Sequence, residues 1–188
     1  DFSSLPAGIK IGSLASLRKQ DSGAIVDLLS SSFPLQDHPF QSLSDAMLDD
    51  GIWIEVSTEC RDEVATIHIL HAFDGSRGAG SAHVTGIIRC AAGTRLRVVE
   101  EVRSEGEVLG NIRWGVALAE DSSLDRVRVI RPGCDSVFHG TRVVQQGGSN
   151  FHDLMICAGS NLVRNEVNTI HSGPRCHVEL LGVYAARG

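Results

Sequence analysis

Three consecutive stretches near the end of the chain decide the fold: SNFHDLMICAGS (149–160), NLVRNEVNTIHSGP (161–174) and RCHVELLGVYA (175–185). Each is a short run of β-forming residues closed by glycine, serine, asparagine or proline, which favour turns. Similar runs precede them, and from Asn111 onward their starting points lie about 12–14 residues apart. Regular spacing without a strictly repeated motif is typical of a repeat architecture.

The connections between the runs distinguish the candidate β folds. After residue 90, no run has helical spacing long enough to serve as a crossover between parallel strands of an ordinary sheet. Asn-Gly and Asp-Gly pairs, the favoured turns of antiparallel hairpins, are also few. Evenly spaced strands, with valine, isoleucine, leucine and cysteine at the inward phase, favour a β-helix with about two strands per coil. A β-sandwich or jelly roll stays open as the alternative on this pattern.

The chain is predicted to divide into a helical N-terminal lead-in, residues 1–50, and a partial β-helix core, residues 51–188. In the lead-in, Asp21 or Ser22 can cap a short helix by accepting hydrogen bonds from first-turn amides. A further helix is predicted to begin at Pro39. Its apolar residues fall at helical spacing and give one apolar stripe: Phe40, Leu43, Met47 and Leu48. From Gly51 the apolar period changes to two, as expected of strands.

Composition limits the classes of function. The net charge of −6 and the pI near 5.7 disfavour a general nucleic-acid or membrane surface, and no run of about 18 apolar residues is present. Five cysteines are widely spread without a CxxC motif, which indicates a reducing compartment and a cytoplasmic location. They are Cys60, Cys90, Cys134, Cys157 and Cys176.

The end of the chain is rich in residues that can bind metals. Thiolate and imidazole are ligands of zinc and of iron–sulfur clusters, and five such residues are close in sequence: His152, Cys157, His171, Cys176 and His177. Cys176 shares its strand phase with Val178 and Leu180, however, so we expect it to point into the core, while His177 faces solvent. The pattern therefore assigns no metal ligand and no catalytic residue, and it leaves cofactor-binding residues unknown.

Other reactive residue types have simpler interpretations. Cys134 lies in a predicted turn, RPGCDS, where Arg131 is the only obvious cation to activate an exposed thiol; a loop cysteine is the favoured interpretation. His68 and His71 would lie on opposite faces of a strand, which prevents joint chelation. The segment GSRGAG (75–80) lacks a Lys-Ser/Thr ending and a following helix, so we expect a flexible loop and not a phosphate-binding loop.

Four carboxylates are clustered in sequence: Glu100, Glu101, Glu105 and Glu107. Paired carboxylates can perform acid–base chemistry when a cleft holds them a few ångströms apart. Because these surround Ser104 and Gly106, the cluster is predicted to be a solvated rim around a turn.

The C-terminal stretch resembles the SufB/SufD family of scaffold proteins that assemble iron–sulfur clusters in the SUF system, and it is more similar to the SufD branch. The residues that match the branch pattern are Arg164, Asn165, Val167, Gly173, Val178, Leu180, Gly182 and Tyr184. Two earlier segments also resemble the family, LPAGIKIGSL (5–14) and HPFQSLSDAMLDDGIWIEV (38–56).

The resemblance implies a mainly β fold, a right-handed parallel β-helix (a single-stranded solenoid) preceded by a short helical segment. It implies a non-enzymatic scaffold subunit that acts with a SufB-type partner and a SufC-type ABC ATPase. Clusters are assembled in the full complex from iron and from sulfur supplied by a cysteine desulfurase. A transient iron–sulfur cluster is thus implied for the complex, and no cofactor is expected on this piece alone.

The chain departs from the family in two respects. Pro174, Arg175 and Cys176 stand where the family has Gly-Ala, and the family's cluster-associated residues and ATPase-docking tail come after the matched stretch. The resemblance therefore transfers no functional residue. We expect the β-helix to be truncated at its C-terminal end and the exposed coil end to form a homo-oligomer, which a concentration-independent monomer in ultracentrifugation would contradict.

Two other functions stay open. The first is a metal-dependent enzyme on a β-helix or cupin-like fold that uses His, Glu or Cys residues. The second is a solenoid module that binds carbohydrate, although Trp53, Trp114 and Tyr184 are too scattered for an aromatic platform.

Overall fold

The computed structural model describes residues 5–32, 39–48 and 50–185 of the chain. The helices in these residues are α1 (Leu14–Gln20), α2 (Ser22–Ser32), α3 (Pro39–Ala46) and a 3-10 helix (Thr58–Cys60). The strands are β1 (Ile9–Ser13), β2 (Gly51–Val56), β3 (Val64–Cys90), β4 (Arg95–Leu118), β5 (Ser123–Ile130), β6 (Ser136–Gln145), β7 (Asn150–Ala158), β8 (Leu162–His171) and β9 (His177–Ala185).

From β2 onward the strands pair in parallel and form two sheets. The first sheet contains residues 64–75 of β3, residues 95–106 of β4, and then β5, β7 and β9. The second sheet contains β2, residues 80–90 of β3, residues 108–118 of β4, and then β6 and β8. Each coil gives one strand to each sheet, so the chain is a β-solenoid of about four turns. The predicted β-helix is confirmed, and parallel pairing excludes the sandwich and the jelly roll.

Register explains the sequence spacing. In the first sheet Arg95 pairs with Ser123, Ser123 with Asn150, and Asn150 with His177. One coil is therefore 27 or 28 residues long in this part of the chain, about twice the spacing of the individual runs. Two strands per coil is what the sequence predicted.

The glycine-rich segment 75–80 lies within β3 and is not the loop predicted from its composition. Its pairing with β4 is interrupted between Gly75 and Gly80, where β3 passes from the first sheet to the second. Glycine suits such a bend because it has no side chain to obstruct the change of direction.

The lead-in contains a strand as well as helices. β1 pairs antiparallel with β2, with Ile9 opposite Val56. The amide of Gly23 donates to Asp21 Oδ1 at 2.9 Å at the start of α2, as the predicted cap requires. α3 begins at Pro39 as predicted. Of the four residues of the predicted apolar stripe, Phe40 and Leu48 are half-buried, whereas Leu43 and Met47 are 39% and 53% exposed.

The lead-in helices pack on the outer side of the second sheet. Leu14 of α1 and Leu28 of α2 form an apolar cluster with Ile87 of β3. On α3, Phe40 stacks on Phe138 of β6 with ring centroids 3.9 Å apart. An ion pair of 2.6 Å between Arg113 Nη2 and Asp45 Oδ1 also fixes α3 to this sheet. The helices thus shield apolar outer positions of the second sheet from water.

The last coil has no strand beyond it among the described residues. Its exposed apolar side chains are Leu162, Ile170, Leu180, Leu181, Val183 and Tyr184. The outward edges of β8 and β9 consequently lack backbone partners within the described part of the chain. Within the same residues, no helix is long and apolar enough to cross a membrane.

Candidate functional site

The interior of the first sheet contains a cluster of charged side chains. In β5, Arg126 and Arg128 point inward and are at most 2% exposed. The residues that alternate with them, Val127 and Val129, face outward. In β7, Asp153 is also buried, at 3% exposure. The prediction that aliphatic residues and cysteine occupy the inward phase is therefore wrong at these three charged positions. It is confirmed at the ends of the same strands, by Leu124, Ile130 and Cys157.

Glu100 lies at one end of this buried cluster. Its Oε1 accepts hydrogen bonds from Trp114 Nε1 at 2.8 Å and lies 2.9 Å from the Nε2 atoms of both His71 and His139. Glu100 itself is fully buried. Burial alone would raise the pKa of Glu100, but the charge and hydrogen bond of His139, with those of His71, hold it well below its usual range. The carboxylate is thus kept ionised inside the solenoid.

Asp153 lies at the other end and forms ion pairs with two arginines. Its Oδ1 accepts from the Nε atoms of Arg126 and Arg128, each at 3.0 Å, and its Oδ2 accepts from Arg128 Nη2. Burial raises the pKa of Asp153, but the two guanidinium groups lower it by a larger amount, so the pKa lies below its usual value. Arg126 also donates to Thr141 Oγ1 at 2.9 Å.

His139 connects the two ends, and its tautomer follows from its neighbours. Arg128 Nη1 lies 3.0 Å from His139 Nδ1 and can only donate, so Nδ1 accepts and the ring proton resides on Nε2. That proton is donated to Glu100. The pKa of His139 is lowered to about 4, mainly by burial. The carboxylate of Glu100 raises this pKa and the positive charge of Arg128 lowers it. The ring is therefore neutral at pH 7.

Two histidines around a carboxylate are also residue types of a metal site. In this cluster, however, the Nε2 atom of His139 that faces Glu100 carries a proton, so it has no lone pair for a metal. Among the described residues no group of three His, Cys, Asp or Glu side chains could hold a metal ion. Each of the following residues of the cluster is less than a tenth exposed: Glu100, His71, His139, Trp114 and Asp153. Its geometry is suited to fixing the interior of the solenoid, and it offers no surface to a substrate.

The register of β7 and β9 separates Cys157 from Cys176 among the five candidate ligands near the end of the chain. Cys157 pairs with Tyr184 and Asn150 with His177, so Cys157 and Cys176 lie near opposite ends of this strand pair. His171 is paired with Gln145, whose carbonyl oxygen is 3.7 Å from Cys176 Sγ.

Of the same five residues, His152 and His177 have rings in an edge-to-face arrangement with centroids 5.5 Å apart. His152 Nδ1 also lies 2.8 Å from Asp125 Oδ1. His177 faces solvent as predicted, but Cys176 is only half-buried, because Val178 and Leu180 next to it are not covered by a further coil.

Most of the cysteine thiols are enclosed. Cys134 lies in the turn between β5 and β6, as predicted, and it is 1% exposed and donates to Val102 O, so the alternative of an exposed, reactive thiol is not met. Burial raises the pKa of Cys134 and of Cys157, and raises that of Cys90 to about 12. Buried thiols of this kind are poor nucleophiles and behave as small apolar side chains.

Arg131, the cation proposed to activate Cys134, instead pairs with Glu101 at 2.6 Å. Arg103 pairs with the same Oε1 atom at 2.7 Å, and the two hydrogen bonds lower the pKa of Glu101 to about 2. Glu100 and Glu101 are thus buried and engaged in ion pairs or hydrogen bonds, and the predicted solvated rim is wrong for both. Glu105 and Glu107 are exposed, as expected of a rim.

The remaining candidates separate as the strand periodicity predicts. His68 is exposed and His71 is buried, so they do not share a face. The aromatic residues do not form a platform: Trp114 is buried in the cluster, Trp53 packs beneath the lead-in helices and Tyr184 is exposed on β9.

Comparison with known protein families assigns the solenoid. The family model for the SUF system FeS cluster assembly SufBD core domain matches residues 73–188. The chain belongs to this SufBD core family. Among curated proteins, none matches the chain at a significant level.

The buried cluster of this SufBD core domain was not found from the sequence. Glu100 is 29 positions from His71 and 39 from His139, and neither contact follows from local spacing. The available signal was DRVRV (125–129), in which arginine and valine alternate. Alternation says that the two residue types lie on opposite faces, but it does not say which face is enclosed.

Proposed function

We propose that the chain is part of a SufD-like, non-catalytic scaffold subunit of the SUF iron–sulfur cluster assembly complex. The match of its solenoid to the SufBD core domain is the observation that carries the proposal. The SufD branch is favoured by residues of β8 and β9, including Arg164, Asn165, Gly182 and Tyr184. These lie in the last coil, where the apolar side chains are exposed.

The proposed subunit acts with a SufB-type scaffold and a SufC-type ABC ATPase, and the iron–sulfur cluster is cargo of the whole complex. A role through protein contacts is supported by the enclosed thiols, since four of the five cysteines are buried. It is also supported by the lack, among the described residues, of a three-ligand group for a metal. The alternative of a metal-dependent enzyme has no such group to use in that part of the chain.

We further propose a cytoplasmic location, with no nucleic-acid or membrane partner, from the charge of −6 and the reduced cysteines. The uncovered edges of β8 and β9 and the apolar side chains around them favour self-association of the isolated chain through the coil end.

Co-expression tests the proposal. The protein that carries this chain is tagged and expressed with a SufB-type scaffold and a SufC-type ATPase, and the purified complex is analysed for composition, iron and sulfide. We expect a stoichiometric complex that assembles a cluster, and a singly expressed subunit that retains no metal after chelation. Failure of the partners to co-purify would contradict the scaffold role. Stoichiometric metal retained by the singly expressed subunit after chelation would favour the enzyme.

A further inference from the structure

The outward face of the first sheet is aliphatic along three successive coils. Val127 and Val129 of β5 lie beside Leu154 and Ile156 of β7. These lie in turn beside two residues of β9, Leu181 and Val183. The six side chains form two adjacent columns, which we call the apolar outer patch. Leu181 and Val183 are 54% and 56% exposed, and the other four are half-buried.

The second sheet shows how this protein covers a comparable surface. Its outer side chains Ile87 and Phe138 are covered by α2 and α3. Parallel sheets with aliphatic residues on a face are normally covered there by helices. The helix contacts described above fall on the second sheet, and the apolar outer patch of the first sheet stays open in the described part of the chain. An aliphatic patch with polar residues at its rim is the kind of surface on which a partner can bind, and here the rim residues support that role.

The dimensions of the patch fit one helix. Neighbouring strands are about 4.8 Å apart and alternate residues about 6.6 Å. Together with Val99 of β4, which continues one column, the patch is therefore roughly 20 Å long and 12 Å wide. An α-helix is about 10–12 Å across, and about 13 residues of it span 20 Å. The patch area of roughly 250 Å² is well below the approximately 800 Å² that each partner buries in a standard interface, which disfavours a second copy.

The charge beside the patch indicates the chemistry of that helix. Arg103 and Arg131, both more than half exposed, share the single carboxylate of Glu101, which itself adjoins Val129 in the register. Within this trio, two guanidinium groups on one carboxylate leave one positive charge uncompensated next to Val129. Acidic side chains on the flank of a bound helix would complement it.

We propose that the apolar outer patch binds one amphipathic helix of a partner chain, with the aliphatic stripe of the helix on the two columns. Glutamate or aspartate residues on one flank of the helix pair with Arg103 and Arg131. The surface follows from the geometry of the first sheet, and it goes beyond the proposed scaffold function because it names a place and a chemistry for a partner.

A designed peptide tests the surface directly. The probe is a helical peptide of about 14 residues with leucines at i, i+3, i+4 and i+7 spacing and glutamates along one flank. Its binding to the protein that carries this chain is measured by fluorescence anisotropy. We expect saturable binding that Leu154→Glu weakens by about tenfold or more, because it places a charge in the aliphatic columns. Val129→Thr, which conserves the β-branched shape, should weaken it less.

The control is Val64→Glu, a change of the same type at an exposed outward position of the same sheet outside the patch. It should leave binding unchanged, and a peptide with lysine in place of glutamate should bind more weakly. Absence of binding to the unmodified protein, or equal loss with Val64→Glu and Leu154→Glu, would overturn the proposal.

Photo-cross-linking identifies the natural occupant. With a photoreactive residue at position 154 in the co-expressed complex, we expect cross-links to an amphipathic helix of another subunit. Cross-links between two copies of this chain, or to a strand or loop, contradict the proposal. Because peptide binding needs no SUF partner, the surface can fail while the scaffold function holds, and the reverse is also distinguishable.

Discussion

The two sheets of the solenoid differ in the polarity of their inner and outer sides. The second sheet has aliphatic residues such as Ile88 and Val116 on its inner side, and its outer side is covered by the lead-in helices. The first sheet contains Arg126, Arg128 and Asp153 on its inner side and aliphatic side chains on its open outer side. Inner and outer polarity are thus reversed in part of one sheet.

The difference shows what a solenoid interior requires. A charged side chain can be enclosed when an opposite charge and hydrogen-bond partners are enclosed with it. Here successive coils supply them, since Asp153 pairs in register with the inward arginine Arg126. Once opposite charges are paired inside, the aliphatic residues that alternate with them must face outward, and the outer surface becomes available to another protein.

Asp153→Asn should be the most damaging change to the first sheet. It leaves Arg126 and Arg128 enclosed without their shared carboxylate, and breaking a buried pair in this way costs about 3–5 kcal/mol. The comparison is Asp125→Asn, on the outer side of the adjacent strand, where an exposed ion pair contributes about 0–1 kcal/mol. Urea unfolding measures both. Similar losses for the two variants would mean that the inward charges are not enclosed as described.

The pH dependence of unfolding should depend on His139. Its pKa of about 4 in the folded protein lies below the value near 6.5 of the unfolded chain, so the unfolded state binds more protons between these values. The corresponding stability is complete above pH 6.5 and is lost as pH falls towards 4, by up to about 3 kcal/mol. The lowered pKa values of Glu100 and Asp153 predict a further loss at lower pH.

Glutamine does not titrate, so His139→Gln should reduce the slope of the free energy of unfolding against pH between pH 6.5 and pH 4. This holds even if the variant is less stable at pH 7. His152→Gln, the same change at a half-exposed outer position, is the matched control. Denaturation series at several pH values supply the measurement, and an unchanged slope in His139→Gln would exclude this residue as the source.

Gly86→Ala tests packing in the second sheet, and its effect on stability should be smaller than those predicted for the Asp153 and His139 variants. A Cβ atom at Gly86 would lie 2.3–2.5 Å from atoms of the Trp114 ring, which donates to Glu100. Overpacking of this kind typically costs about 1–3 kcal/mol. A Cβ at Gly80 meets no atom within 4 Å, so Gly80→Ala should change stability by less than about 0.5 kcal/mol. Thermal unfolding with tryptophan fluorescence follows both, and equal stability of the two variants would refute the close contact.

The sequence by itself determined the repeat, the β-helix as the favoured fold, the helices beginning near Ser22 and Pro39, and the family resemblance of the C-terminal stretch. These features depend on local spacing, turn residues and caps, which are written in contiguous residues. Only the tertiary structure decided that Glu100, Arg126, Arg128 and Asp153 are enclosed. Alternation along a strand separates two faces without saying which is inside, and the stacking of coils 27 or 28 residues apart brings together charges that no local pattern relates.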